Sequence, residues 1–206
     1  MDPIDIYCER TSAALWAEPL NALSNLAFLI SAFLLWRVGL RGRMDGALVG
    51  LIAVIGVGSG LFHTFANRLA MLADVLPILA FQLTFLLAYA AYALKLRLPA
   101  LAAVLALFVA SLVGFGQLPQ SWLNGSLSYA PALLFLAGFA LWRQQRGMSG
   151  RNWLAVAAAA FAVSLTFRSL DQSVCEALPI GLHYMWHMLN AVVLYGCVRA
   201  YRQDAT

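Results

Sequence analysis

From Leu98 to Trp142 the chain contains no Asp, Glu, Lys or Arg. That uncharged run is about twice the 20 or so apolar residues needed to cross a bilayer as a helix. A single helix of that length is excluded by Gln117-Leu-Pro119-Gln-Ser-Trp-Leu-Asn124-Gly125, because Pro and Asn-Gly form turns. The run therefore reads as two spans joined by a short loop. The rest of the chain agrees: 63% of its 206 residues are hydrophobic and 11% are charged, whereas an ordinary soluble domain has roughly 45–50% and 25%. So little polar surface implies that lipid is the main solvent.

Extending the same reading gives seven spans, at about 20–38, 47–65, 72–94, 98–117, 126–142, 152–170 and 179–201. A miscounted segment would make six or eight. The expected fold is an all-α integral membrane bundle forming one domain over 1–206, with no internal repeat. The start, MDPIDIYCER, is acidic and lacks a basic region followed by a short apolar stretch. No cleavable signal is expected, and the first span serves as its own insertion signal.

The net charge of +4 sits at segment ends, which suits membrane orientation better than nucleic-acid binding, and no nucleic-acid partner is expected. With the N-terminus outside, Arg37, Arg41, Arg43, Lys95, Arg97, Arg143, Arg146, Arg151, Arg199 and Arg202 fall on the cytoplasmic side. Arg10, Arg68 and Arg168 fall outside. The bias places the N-terminus outside and the C-terminus in the cytoplasm.

The chain has three histidines, His63, His183 and His187. In this topology His63 ends the second span and the other two begin the seventh, so all three lie at one depth in the outer part of the membrane. His183 and His187 are spaced i, i+4 and share one helix face, a spacing that offers two imidazoles to one metal. With His63 as third ligand they match a catalytic zinc arrangement whose fourth position is open to water. A pair of bundle histidines could also ligate haem. The third histidine, with an acid at the same depth, favours Zn2+.

That acid is Asp74, which opens the third span; Ser59 lies one turn before His63. An ionisable group inside a span is a functional hypothesis by default. Asp74 is a candidate general base or orienting partner for an imidazole, and Ser59 a candidate hydrogen-bond donor to a developing oxyanion. The structural alternatives are a helix cap for Asp74 and simple packing for Ser59, beside Gly58 and Gly60.

Three motifs in order, Ser59-Gly-Leu-Phe-His63, Asp74-Val-Leu-Pro77 and His183-Tyr-Met-Trp-His187, resemble the alkaline ceramidases. That family lies within a wider group of seven-helix membrane hydrolases that includes the adiponectin-type receptors. Cys8-Glu9, Glu18-Pro-Leu-Asn21-Ala-Leu-Ser24-Asn25 and Asp171-Gln-Ser-Val-Cys175-Glu176 extend the similarity towards both ends. The resemblance implies zinc ligation by His63, His183 and His187, catalysis with Ser59 and Asp74, and a disulfide between Cys8 and Cys175. Cys197 is then expected to stay free. Both bridged cysteines fall on the outer, more oxidising side of the expected topology.

The resemblance also implies Ca2+ at the acidic N-terminal segment. Glu9 and Glu18 align there, with the preceding acid displaced to Asp5 and Thr11 standing where the family has an amide.

The implied activity is zinc-dependent hydrolysis of ceramide or a similar N-acyl lipid to a fatty acid and a sphingoid base. Rival readings are a receptor-like protein with a structural zinc and a small transporter or proton relay. The expected partners are a ceramide-like lipid and the bilayer. The expected location is a bacterial inner membrane, with the site towards the periplasm. Oligomeric state and acyl-chain preference stay open at this stage.

Overall fold

The computed structural model describes residues 4–205; Met1, Asp2, Pro3 and Thr206 lie outside it. Its regular elements are all helical: α1 Pro19–Ser24, α2 Leu26–Arg37, α3 Arg43–Phe65, α4 Arg68–Ala88, α5 Leu98–Gly116, α6 Ala130–Gln145, α7 Trp153–Leu170 and α8 His183–Asp204. A π-helical turn, Tyr89–Ala93, continues α4, and 3-10 segments at Trp122–Tyr129 and Asp171–Val174 precede α6 and follow α7. No strand occurs among the described residues.

Six helical stretches are long and apolar enough to cross a membrane: Pro19–Arg37, Arg43–Phe65, Arg68–Ala93, Leu98–Gly116, Trp122–Gln145 and Trp153–Val174. α8 has 22 residues, and at about 1.5 Å per residue it is as long as the others. It is the most polar of the long helices because its ligand-type side chains face inwards: His183, His187, Asn190, Arg202 and Asp204 are all buried. α5 is the reverse case: Phe108 is its one fully buried residue, Val104 and Leu112 pack partly against the core, and Leu107, Val109 and Val113 are exposed.

The helix ends follow local chemistry. The Asn67 and Asn152 side chains accept from the Ala70 and Ala155 amides and so cap α4 and α7. The expected turn at 117–125 is present, with Leu123, Asn124 and Gly125 at φ 49°, 52° and 70°. The last helix is shorter than the expected 179–201 at its start. Gly181, at φ +64°, turns the chain, and Asp171 Oδ1 accepts from the amides of Leu182 (2.6 Å) and His183 (2.9 Å). His183 is therefore the first residue of α8.

α3 packs along α4 and α7 along α8. Both pairs come close at glycine. A Cβ on Gly196 would lie 3.2 Å from that of Ala157, and one on Gly58 would overlap the Ala73 carbonyl. At the end remote from the histidines, α8 is pinned by buried ion pairs. Arg202 holds Asp45 at 2.6 Å, Arg143 holds Asp204 at 2.9 Å, and the Tyr89 hydroxyl donates to Asp204 at 2.7 Å. Two of the basic residues assigned by sequence to the cytoplasmic flank, Arg143 and Arg202, are thus core partners of acids rather than solvated charges.

Candidate metal centre

The three histidines converge although most of the chain separates His63 from the other two. Each offers a ring nitrogen within 4.8 Å of the others, and all three residues are buried. His63 Nε2 stands 3.1 Å from His187 Nε2. Two nitrogens bound to one tetrahedral zinc at about 2.0–2.1 Å would be roughly 3.3 Å apart.

The surrounding hydrogen bonds assign the protons on these rings. Glu18 Oε2 lies 2.6 Å from His63 Nδ1, and the carboxylate also accepts from Arg10 Nε (2.5 Å) and Asn21 Nδ2 (3.0 Å). A carboxylate already accepting two bonds has no proton to give, so His63 Nδ1 carries the hydrogen and Nε2 is bare. Ser24 Oγ lies 2.7 Å from His187 Nδ1 and 2.8 Å from the Asn21 carbonyl, which can only accept. The serine therefore donates to the carbonyl and accepts from the imidazole, leaving His187 Nε2 bare as well. Two lone pairs facing at 3.1 Å repel unless a proton or a metal ion lies between them. The donor set thus fits a metal, and three neutral imidazoles suit zinc.

His183 is held differently. Its ring stacks on Tyr7, with centroids 3.6 Å apart and planes at 20°, and its buried Nδ1 has no hydrogen-bond partner. Tyr7 is placed by the Cys8–Cys175 disulfide, which ties the N-terminal segment to the loop ahead of α8. Burial drives the Tyr7 hydroxyl well above its ordinary range, so the phenol stays neutral. Burial also works to raise the Glu18 carboxyl. The hydrogen bond from His63, with those from Asn21 and Arg10, outweighs it and holds that carboxyl below its usual value.

Ser59 and Asp74 lie beside this centre. Ser59 is buried on α3 and lies beside Asp74 on α4, next to the close approach of Gly58 to Ala73. Asp74 Oδ1 is buried and has no partner. A buried carboxylate oxygen without a donor is costly, and its presence beside a metal-type site marks a position for substrate or water.

A cavity extends from here into the bundle. Ser59, His187 and Asn190 line its polar end; Leu86, Val193 and Cys197 line it farther down. From His187 to Cys197 along α8 is roughly 15 Å, about the hydrocarbon thickness of one leaflet. Cys197 is a free, buried thiol in that wall.

The acids expected to bind calcium have other partners. Glu9 accepts from the Leu20 and Asn21 amides (2.7 and 2.8 Å), satisfying the start of α1. Glu18 orients His63, and Asp5 is exposed. The histidine trio is the set of ligand atoms that converges among the described residues, and these three carboxylates do not form a second.

Sequence reasoning assigned no role to Ser24, Tyr7, Arg10 or Asp171. Asn21, Ser24 and Asn25, opening an otherwise apolar span, were the available signal, because polar groups within a span need partners. No protein-family model matches this chain, and no curated protein matches it.

Proposed function

We propose that this chain is a seven-span membrane hydrolase that holds zinc through His63, His183 and His187 and cleaves the amide of ceramide or a similar N-acyl lipid. α8 serves as the seventh span, its polar face turned to the bundle. The basic-residue bias supports an N-terminus outside and a C-terminus in the cytoplasm, with the site towards the periplasm of a bacterial inner membrane.

One observation carries this reading. A pair of bare, facing imidazole nitrogens adjoins an unpartnered buried carboxylate oxygen at the mouth of a deep apolar cavity. A bound zinc supplies a Lewis acid and lowers the pKa of a water at its open position. The protein's own residues do the rest. Phe81, Phe85 and Phe161 help to wall the cavity that receives an acyl chain and keeps out bulk water. The Ser59 hydroxyl, beside Asp74, donates to the substrate carbonyl oxygen as charge develops there.

Asp74 Oδ1 takes a proton from the water whose oxygen bonds to the carbonyl carbon. When the carbon–nitrogen bond breaks, the same proton passes to the departing nitrogen. One amide and one water give one carboxylic acid and one amine, here a fatty acid and a sphingoid base.

A receptor-like role with a structural metal gives no reason for Asp74 Oδ1 to stand free, since structural sites are closed by their ligands. A proton relay needs acidic groups spread through the membrane depth, and here the buried acids lie at its two ends, with Asp45 and Asp204 at the far end locked in ion pairs with Arg202 and Arg143. Asp74→Asn, purified in detergent, tests the reading. Fatty-acid release from an N-acyl lipid should fall by roughly 10²–10⁴-fold, with zinc content unchanged. Undiminished turnover would remove Asp74 from the mechanism.

A further inference from the structure

The cavity wall contains polar groups that the reaction does not use, Gln82, Tyr129 and Asn190 among them, and Asn190 is the one nearest the metal-type site along its helix. Asn190 lies three residues after His187 on α8, and the two share a face. Its side chain is one turn deeper, roughly 4.5 Å along the axis. Asn190 is 9% exposed, lines the cavity, and its Nδ2 has no hydrogen-bond partner. No acceptor of the protein reaches it, although Gln82 and Tyr129 line the same cavity. A buried amide donor left unmade is costly, so one carried in the wall of a ligand cavity is a recognition group.

We infer that the Asn190 side-chain amide holds a hydroxyl carried by the lipid within two or three carbons of the scissile amide. The position follows from its single turn of displacement from the metal-binding imidazole. The neutral character follows from the walls, which are mostly apolar and carry no Lys or Arg to offset an anion's lost hydration. A hydroxyl can accept from Nδ2, and a site built to bond it discriminates against the analogue lacking it. This inference rests on the proposed amidase reading for its frame of reference, but Asn190 stands apart from the metal ligands and from Ser59 and Asp74.

The hydroxyl can sit on either side of the amide. The test therefore uses matched substrates: a plain N-acyl amide, its α-hydroxyacyl and β-hydroxyacyl counterparts, and one whose amine bears a hydroxyl next to the nitrogen-bearing carbon. The protein and Asn190→Leu are compared on kcat/KM. The expected result is an advantage of about tenfold or more for one hydroxylated arm, collapsing to near unity in the variant; the favoured arm identifies the side. No advantage in any arm, or one that survives Asn190→Leu, overturns the inference while leaving the amidase intact.

If no amide is cleaved at all, the amidase reading fails, and binding decides the subsite. Quenching of Trp186 fluorescence by hydroxylated and plain fatty acids is compared, with detergent alone as blank. Tighter binding of a hydroxylated acid, lost in Asn190→Leu, supports the subsite; equal binding overturns it.

Discussion

Gly58 and Pro77 act on the same atom, the carbonyl oxygen of Ala73. Pro77 lies inside α4 and lacks the amide hydrogen that would otherwise reach back four residues to that oxygen. Gly58 lacks the Cβ that would occupy the same space, where its distance to the Ala73 carbonyl carbon would be 2.7 Å. The freed carbonyl rests against the glycine, and the close approach of α3 and α4 sets Ser59 beside Asp74, each one residue further along its helix. Gly58→Ala should therefore push the helices apart, costing about 1–3 kcal/mol as an overpacked contact. Thermal unfolding of the detergent-solubilised variant measures the stability loss, and turnover should fall as Ser59 and Asp74 are moved apart. An unchanged Tm would mean that the contact yields without consequence.

The partners behind the imidazoles should govern metal affinity. Glu18→Gln weakens the acceptor that fixes the His63 tautomer, and Ser24→Ala removes the acceptor behind His187. Loss of such partners typically costs about 10–100-fold in affinity. Zinc competition against a coloured chelator should resolve this for each variant. Affinities equal to the parent would place the rings under the control of packing alone.

The Cys8–Cys175 bridge spans 167 residues of sequence and anchors the segment that brings Tyr7 onto His183. Replacing both cysteines by serine should lower stability by about 2–5 kcal/mol. It should also speed zinc release to a chelator, because the stacked face of His183 loosens. If the double variant kept the parent's release rate, the bridge would be serving stability alone.

At the opposite end, Asp45→Ala would leave the Arg202 guanidinium buried without its carboxylate. Breaking a buried pair in this way costs about 3–5 kcal/mol. The variant that does fold should carry the parent's zinc per chain, since this pair lies at the other end of α3 from His63. Metal analysis of the monodisperse fraction distinguishes a stability effect from a site effect.

The sequence made the helical membrane character and the histidine trio legible because both follow from strong rules. Charge-free runs must cross lipid as helices, and i, i+4 histidines share a face. Cys8 and Cys175 were paired through resemblance, and the structure joins them. The start of α8 was misplaced because apolar Pro179–Leu182 reads as span, whereas Gly181 and the distant Asp171 carboxylate define the turn. Glu18 was assigned to calcium through the resemblance, and sequence alone did not show the residue it meets. Its partner, His63, is 45 positions away. The Asn190 donor was invisible for the same reason: only folding shows that no protein acceptor reaches it.

The most direct test of the amidase account is fatty-acid release from a labelled N-acyl sphingoid lipid by freshly purified protein. Zinc is measured on the same sample, with His183→Ala alongside. The account predicts turnover with zinc bound at about one ion per chain, as a single three-histidine site requires, and loss of both in the variant. Protein that folds, carries no zinc and gains no turnover when zinc is supplied would contradict it.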